Sequence, residues 1–276
     1  MNASRFACRA LLAVCVLTLA TGVAFGQAAQ VTDQFEPQVG QAGKDVVWVP
    51  TPQELVDRML DMAKVTPQDY VIDLGSGDGR TVITAAKRGS RAHGIEYNPD
   101  MVELSKRNAA KEGVTNRATF AKADLFESDF TPATVVTMFL LPDINLKLRP
   151  KILDLKPGTR IVSNTFTMGD WKPDATTSVT ENCSSWCTAL LWIVPAKVMG
   201  TWRLAQGELR LAQSYQEISG TLNSGGNNIV ISDGTIRGDE ISFTAGAAQY
   251  TGRLAGNTIE GTVRSGATVN TWRATR

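Results

Sequence analysis

The chain has 276 residues, enough for one large domain and a smaller companion. Apolar residues make up 43% and charged residues 20%, a balance that argues against a disordered chain. Basic residues number 28 and acidic residues 27, so the basic excess that a nucleic-acid partner leaves is missing and no such partner is expected.

Residues 1–26 read as a signal peptide. Arg5 and Arg9 form a basic start, Ala10 to Phe25 is apolar, and Ala24-Phe25-Gly26 offers small residues for cleavage. The apolar run is a little short of a spanning length, so an uncleaved anchor, with membrane association, is the alternative. Both readings place the remainder outside the cytoplasm, in a periplasm or secreted, because no Lys or Arg follows until Lys44. Cys15 follows Val14 rather than a small residue, so no lipid anchor is expected. Residues 27–45 read as a polar linker.

An α/β domain is expected over residues 46–198. Val46-Val47-Trp48-Val49-Pro50 is a short apolar lead. Thr51-Pro52-Gln53-Glu54 then reads as a helix start, with Thr51 as N-cap and Glu54 closing a capping box. Strands are expected at Asp69 to Leu74, Arg91 to Glu96, Arg117 to Lys122, Ala133 to Leu140 and Thr159 to Asn164. Helices lie between them: Arg80 to Arg88, a helix capped by Asn98-Pro99, and Asp143 to Leu155, broken or kinked at Pro150. Thr176 to Asn182 and Thr188 to Val194 read as a closing antiparallel hairpin. This alternation implies a doubly wound, Rossmann-like sheet of seven strands, covered on both faces. Cys183 and Cys187 either bridge across a turn at Ser184-Ser185-Trp186 or stay as two thiols. With His93 they are too few and too scattered for a metal site.

Composition changes near Met199. No lysine follows, glycines recur at short intervals, and segments such as Glu217 to Leu222 alternate in period two. Residues 199–276 therefore read as an all-β antiparallel meander or barrel. Thr201-Trp202-Arg203 and Thr271-Trp272-Arg273 echo each other, as paired end strands closing a barrel would. Exposed Trp202 or Trp272 would favour a ligand-binding module; buried ones, a structural cap.

Val71 to Leu74 runs into Gly75-Ser76-Gly77-Asp78-Gly79-Arg80. A strand, a tight glycine loop and a helix start let backbone approach a ligand closely. The dinucleotide fingerprint needs a glycine or alanine where Arg80 stands, and Asp73 would repel a pyrophosphate. No Lys-Ser/Thr follows, which excludes a triphosphate loop. A positively charged ligand fits better.

Val71 to Arg80 resembles the first motif of the class I S-adenosylmethionine-dependent methyltransferases. His93-Gly94-Ile95-Glu96-Tyr97-Asn98 resembles their second-strand motif, whose acid grips the ribose, and Lys122-Ala123-Asp124-Leu125 their third, whose Asp takes the adenine amino group. Val49-Pro50-Thr51-Pro52, Glu96-Tyr97-Asn98-Pro99 and Gly169-Asp170-Trp171-Lys172-Pro173 are similar to the protein-lysine methyltransferases that modify the ATP synthase c subunit and the adenine nucleotide translocase. The resemblance covers about Val46 to Pro195. It implies S-adenosyl-L-methionine as cofactor, held by Asp73, Gly75, Ser76, Gly77, Asp78, Gly79, Glu96, Tyr97 and Asp124, with the Thr51 region as a lid. It implies methyl transfer to a nucleophile, an amine above all, and favours a protein lysine; small amines and envelope lipids stay open as acceptors.

On the acceptor side, Asp143 is a candidate to orient an amine, or else the N-cap of its helix. Asn164 follows the fifth strand, and Trp171 is a candidate wall of the methyl pocket, or a packing residue. His93 reads as structural. Because the donor is made in the cytoplasm, an exported, non-catalytic ligand-binding protein reusing this fold, with the β tail as its binding module, stands as the alternative.

Overall fold

The computed structural model describes residues 35–205 and 207–276. The expected signal peptide and anchor, residues 1–26, and the first part of the linker lie outside the described residues. Among the described residues, no helix is long and apolar enough to cross a membrane.

Helix α1 (Gln53–Met62) precedes strand β1 (Tyr70–Leu74), α2 (Arg80–Lys87), β2 (Arg91–Glu96), α3 (Pro99–Lys111), β3 (Ala118–Lys122), β4 (Val135–Met138), α4 (Pro142–Leu153), β5 (Arg160–Asn164), β6 (Ala175–Ser178) and β7 (Thr188–Ile193). They form one seven-stranded sheet in the order β3-β2-β1-β4-β5-β7-β6. The first five pair in parallel, and β7 pairs antiparallel with both β5 and β6, the closing hairpin. Neighbouring residues on each strand serve opposite faces. Val71, Val135 and Val162 pack with Leu55, Met59, Val82 and Val102 of α1 to α3. Ile72, Val136 and Ile161 pack with Ile144, Leu148 and Ile152 of α4.

Local expectations hold unevenly. Asn98 caps α3 as expected, its Oδ1 accepting from the amides of Asp100 and Met101. Thr51 does not cap α1: Pro52 occupies that position, with no side-chain cap bond, so the capping box is not formed. The hydroxyl and carbonyl of Thr51 are used elsewhere, as described below. Helix α4 runs through Pro150 rather than ending there. Pro150 lies on the exposed face, so the helix loses one backbone bond without a buried clash. Leu141, not Asp143, is its N-cap. Cys183 and Cys187 are bridged, with Cα atoms 5.8 Å apart, because residues 179–187 form a loop instead of continuing the strand.

The tail is a closed antiparallel barrel of β8 (Gly200–Leu204), β9 (Gly207–Ser214), β10 (Glu217–Ser224), β11 (Asn227–Arg237), β12 (Glu240–Ala245), β13 (Ala248–Ala255), β14 (Thr258–Ser265) and β15 (Thr268–Thr275). The echoing end strands close it, Leu204 opposite Ala274 and Arg203 opposite Thr275. Closure removes the unpaired edges of an open meander. Trp202 and Trp272 are buried in its core, and their indole N–H groups donate to the carbonyls of Val198 and Thr251. Packing, not ligand exposure, is therefore what these tryptophans do.

Tyr215, in the β9–β10 turn, joins barrel to sheet. Its ring stacks on Trp171 at 5.8 Å between centroids, and its hydroxyl donates to Asp170 Oδ1 at 3.0 Å. Gln216 Nε2 donates to the Lys172 carbonyl at 2.8 Å. Trp171 is fully buried between Tyr215 and Trp192. Trp171→Ala is expected to destabilise the chain by about 3–5 kcal/mol, the usual effect of deleting a buried large aromatic side chain. Denaturant unfolding measures this.

Candidate active site

The β1–α2 loop turns on glycines in the left-handed region, with φ of 76° at Gly75, 54° at Gly77 and 82° at Gly79. A Cβ at Gly77 would stand 2.6 Å from Trp48 Nε1, and one at Gly79 2.8 Å from the Phe120 ring. The chain can pass between these neighbours because it carries no side chain there. The amides of Gly75 and Ser76 donate to the Ile95 carbonyl, tying the loop to the end of β2.

Glu96 closes that tie. Its carboxylate accepts from Gly77 N–H at 2.9 Å and from Asn98 N–H at 2.8 Å. Asp73 is buried at the end of β1 and accepts from Thr137 Oγ1 at 2.6 Å. Arg80, the residue that breaks the dinucleotide fingerprint, holds Asp78 through a forked pair and donates to the Thr51 carbonyl at 2.8 Å. Thr51 Oγ1 in turn accepts from Asn164 Nδ2 at 3.3 Å. Asp124, just past β3, accepts from Phe126 N–H and pairs with Lys44, whose ammonium lies 4.9 Å above the Tyr97 ring.

Charge in this cluster is unbalanced. Burial pushes the Asp73 carboxyl up to about 7, and the negative charges of Glu96 and Asp78 add to the shift; the Thr137 hydroxyl opposes it. The hydrogen bond from Lys44 holds Asp124 below the usual carboxylate range.

Thr51, Asp73, Gly75, Ser76, Gly77, Asp78, Glu96, Tyr97 and Asp124 all line one cavity of about 220 Å³. Gly79 does not; it lies beneath the loop against Phe120 and Ser105. The acceptor-side expectations are not met by placement. Asp143 is exposed on the first turn of α4, Asn164 is buried behind Thr51, and Trp171 is committed to the barrel contact; none lines the cavity. His93 is half-buried and bonds Thr119 Oγ1, outside the cavity.

The cavity also has walls that the sequence pattern does not announce. Residues 40–48 form a strap rather than a featureless linker: Ala42 bridges Val47, and Gly40 N–H donates to the Trp48 carbonyl. Lys44 and Trp48 reach the cavity from it. Phe139, Phe166 and Trp186 line the opposite end. The one signal for Trp186 in the sequence is its place between two cysteines.

Comparison with known proteins gives this geometry a context. The family described as "ANTKMT methyltransferase domain" matches residues 73–175. A protein-lysine N-methyltransferase of Saccharolobus islandicus is 50% identical over 131 residues, covering 46% of this chain and 81% of its own length. The lysine N-methyltransferase of the ATP synthase c subunit from Rattus norvegicus is 35% identical over 162 residues, 58% of this chain and 74% of its own length. The chain belongs to the S-adenosylmethionine-dependent protein-lysine methyltransferase family. Its fold is also similar to the crystal structure of an RNA methyltransferase from Salinibacter ruber in complex with S-adenosyl-L-homocysteine. That chain is 46% identical, with a TM-score of 0.51, covering 54% of this chain and 96% of its own. This methyltransferase is thus an enzyme that uses S-adenosyl-L-methionine; such relatives do not favour a non-catalytic binding protein.

The donor set fits that cofactor. Ser76 Oγ is buried without a partner among the described residues, the glycine loop offers bare backbone, and three acids face a space that a cation would neutralise. A carboxyl whose pKa is about 7 when folded, against an ordinary 3.8, binds its proton more tightly folded than unfolded. Ligand-free stability from Asp73 is therefore full at low pH and is lost as pH rises toward 7. Asp73→Asn is expected to remove that dependence and gain ligand-free stability at pH 8. The same change should weaken S-adenosylmethionine binding about ten- to hundredfold, the size of a lost hydrogen bond to a charged group. Thermal unfolding across pH 5 to 8 and calorimetry at pH 8 check the two halves separately.

Proposed function

We propose that this methyltransferase transfers a methyl group from S-adenosylmethionine to the ε-amine of a lysine in a protein. The observation that carries the reading is the polarity of the cavity. Asp73, Glu96 and Asp124 line it from the ends of β1, β2 and β3, and Phe139, Phe166 and Ile144 line it from the connections that follow β4 and β5, on the other side of β1 in the sheet. In this reading Glu96, already oriented by two amides, takes the ribose hydroxyls, and Asp124 takes the adenine amino group in exchange for Lys44. Asp73 faces the cationic amino-acid end, and Gly75, Ser76 and Gly77 lie along the nucleoside.

Bound S-adenosylmethionine would supply an electrophilic methyl on a sulfonium: an uncharged amine forms a bond to that carbon as the carbon–sulfur bond breaks, and its electron pair leaves with sulfur as a neutral thioether. The protein's part is alignment and exclusion of water. An ammonium ion carries no lone pair, so the acceptor must shed a proton to solvent first. The apolar end of the cavity disfavours the charged form and lowers the amine's pKa toward that state. A strong acid or base is not required, which agrees with Asp143 standing outside the cavity.

The lysine acceptor is supported by the protein-lysine methyltransferases among the relatives, and the near-neutral charge of the chain weighs against RNA. The Salinibacter ruber neighbour, described as an RNA methyltransferase, makes RNA the reading to test against. With methyl-labelled S-adenosylmethionine and a cell extract split into protein and RNA, label is expected in protein, and acid hydrolysis should return it as methyllysine. Label in RNA alone overturns the proposal. Glu96→Gln should lower kcat/KM for the donor by about tenfold or more, since it weakens hydrogen bonds that a charged carboxylate accepts.

A further inference from the structure

Three aromatic rings stand together at the cavity end away from the acids. Phe139 leaves β4, Phe166 leaves β5, and Trp186 sits within the loop closed by Cys183 and Cys187. Phe139 and Phe166 stack at 5.8 Å between centroids with an interplanar angle of 17°, and Trp186 meets Phe139 at 6.0 Å and 59°. Each element arrives separately in sequence and all three rings line the same cavity.

The backbone around each ring is restrained. Ser163 Oγ and Asn145 Nδ2 both donate to the Phe166 carbonyl, at 2.8 and 3.2 Å, and Asn145 is buried. Trp186 has a φ of 55° and Asn182 one of 50°, a left-handed conformation that a bulky residue rarely adopts. The disulfide closes the loop over that conformation. The two cysteines pack against the core on the α1–α3 face of the sheet, yet 44% of Trp186 remains exposed, so the ring itself is not held there by burial.

We propose that Trp186, held by the Cys183–Cys187 bridge, binds the acceptor, forming with Phe139 and Phe166 the aromatic wall along which its amine-bearing chain enters. The proposal rests on the lysine reading above and names the surface that receives that side chain. Aromatic faces attract an ammonium within about 6 Å of the ring and cover the aliphatic stem behind it. They do so for a methylated nitrogen as well, since methylation spreads its charge without removing it. Trp186 is the outermost ring and so meets the acceptor first. The two cysteines are positioning residues: they touch no substrate and act through the tryptophan.

The test uses the full chain with its disulfide intact, labelled S-adenosylmethionine, and a pool of peptides holding one central lysine with randomised flanks. Trp186→Ala is expected to raise the KM for the pool about tenfold, near the upper range for an aromatic–cation contact. Its kcat and its affinity for S-adenosylhomocysteine should stay at parental values. Trp186→Phe should recover most of the loss, and the double variant Cys183→Ser, Cys187→Ser should fall between. An independent readout is titration of the S-adenosylhomocysteine-saturated chain with tetramethylammonium, following the indole N–H resonance that Trp186→Phe removes; it should shift. An unchanged KM in Trp186→Ala overturns the proposal, as does a rise matched by lost S-adenosylhomocysteine affinity, which marks general damage to the cavity. Parental KM in the double serine variant overturns the role of the bridge. If the unsubstituted chain labels no peptide, the lysine reading fails, and the titration alone decides whether the wall binds a cation.

Discussion

The site depends on one steric constraint: backbone at Gly77, Gly79 and Gly94 passes where no side chain fits. A Cβ at Gly94 would lie 2.5 Å from Ser76 Oγ, just as those at Gly77 and Gly79 would meet Trp48 and Phe120. The loop is thus clamped between the strap above, β2 beside it and β3 below. That clamp sets the Gly77 amide against Glu96, and so turns two separate strand ends into one polar surface. The cradle is made of backbone, whose position is fixed by packing rather than by a choice of rotamer.

Arg80 shows how a departure from one pattern serves another. Read as a missing glycine, it rules out a dinucleotide. In the fold it bridges Asp78 on the loop to Thr51 at the foot of the strap, and Asn164 completes the chain of contacts from β5. Thr51, expected as a helix cap, is instead a junction among three segments far apart in sequence. Local pattern could not show this, because the competing partner of its hydroxyl lies 113 residues away.

The same distinction explains what was legible. The alternating strands and helices, the glycine loop and the acids at the ends of β1, β2 and β3 are all carried by short contiguous motifs. Each acid sits at or just past the end of its strand, so finding the strand finds the acid. The other end of the cavity has no such signature. Phe139, Phe166 and Trp186 come from three connections, and aromatic residues after a strand read equally well as core. Asp143 and Trp171 looked suitable by chemistry, yet the helix turns the first to solvent and the barrel claims the second. The tail shows the opposite case: period-two segments and matched ends made a barrel readable, but its contact through Tyr215 depends on a turn residue with no pattern at all.

Electrostatics gives the cavity its direction. Burying Asp73 near Glu96 and Asp78 is unfavourable on its own, and the strain falls on the group with least access to water, which is why its carboxyl titrates near 7. Asp124, at the rim, is already answered by Lys44 from the strap. Asp78 is answered by Arg80, so among the described residues it is Asp73 and Glu96 that lack such a pair. In the proposed reading a cationic cofactor meets both conditions at once, neutralising the buried carboxylates and exchanging a purine amino group for the lysine. The apolar and aromatic side carries no carboxylate of its own, so an amine held there loses water and gives up its proton more readily than it does in solution. In the proposed reading the sulfonium donor lies against the acids, while the ring faces take up the acceptor's ammonium and hold it where no carboxylate keeps its proton on, so donor and acceptor approach each other from different sides of the cavity. Such a gradient needs no catalytic base, and it accounts for a transferase site whose charged residues all lie on the donor's side.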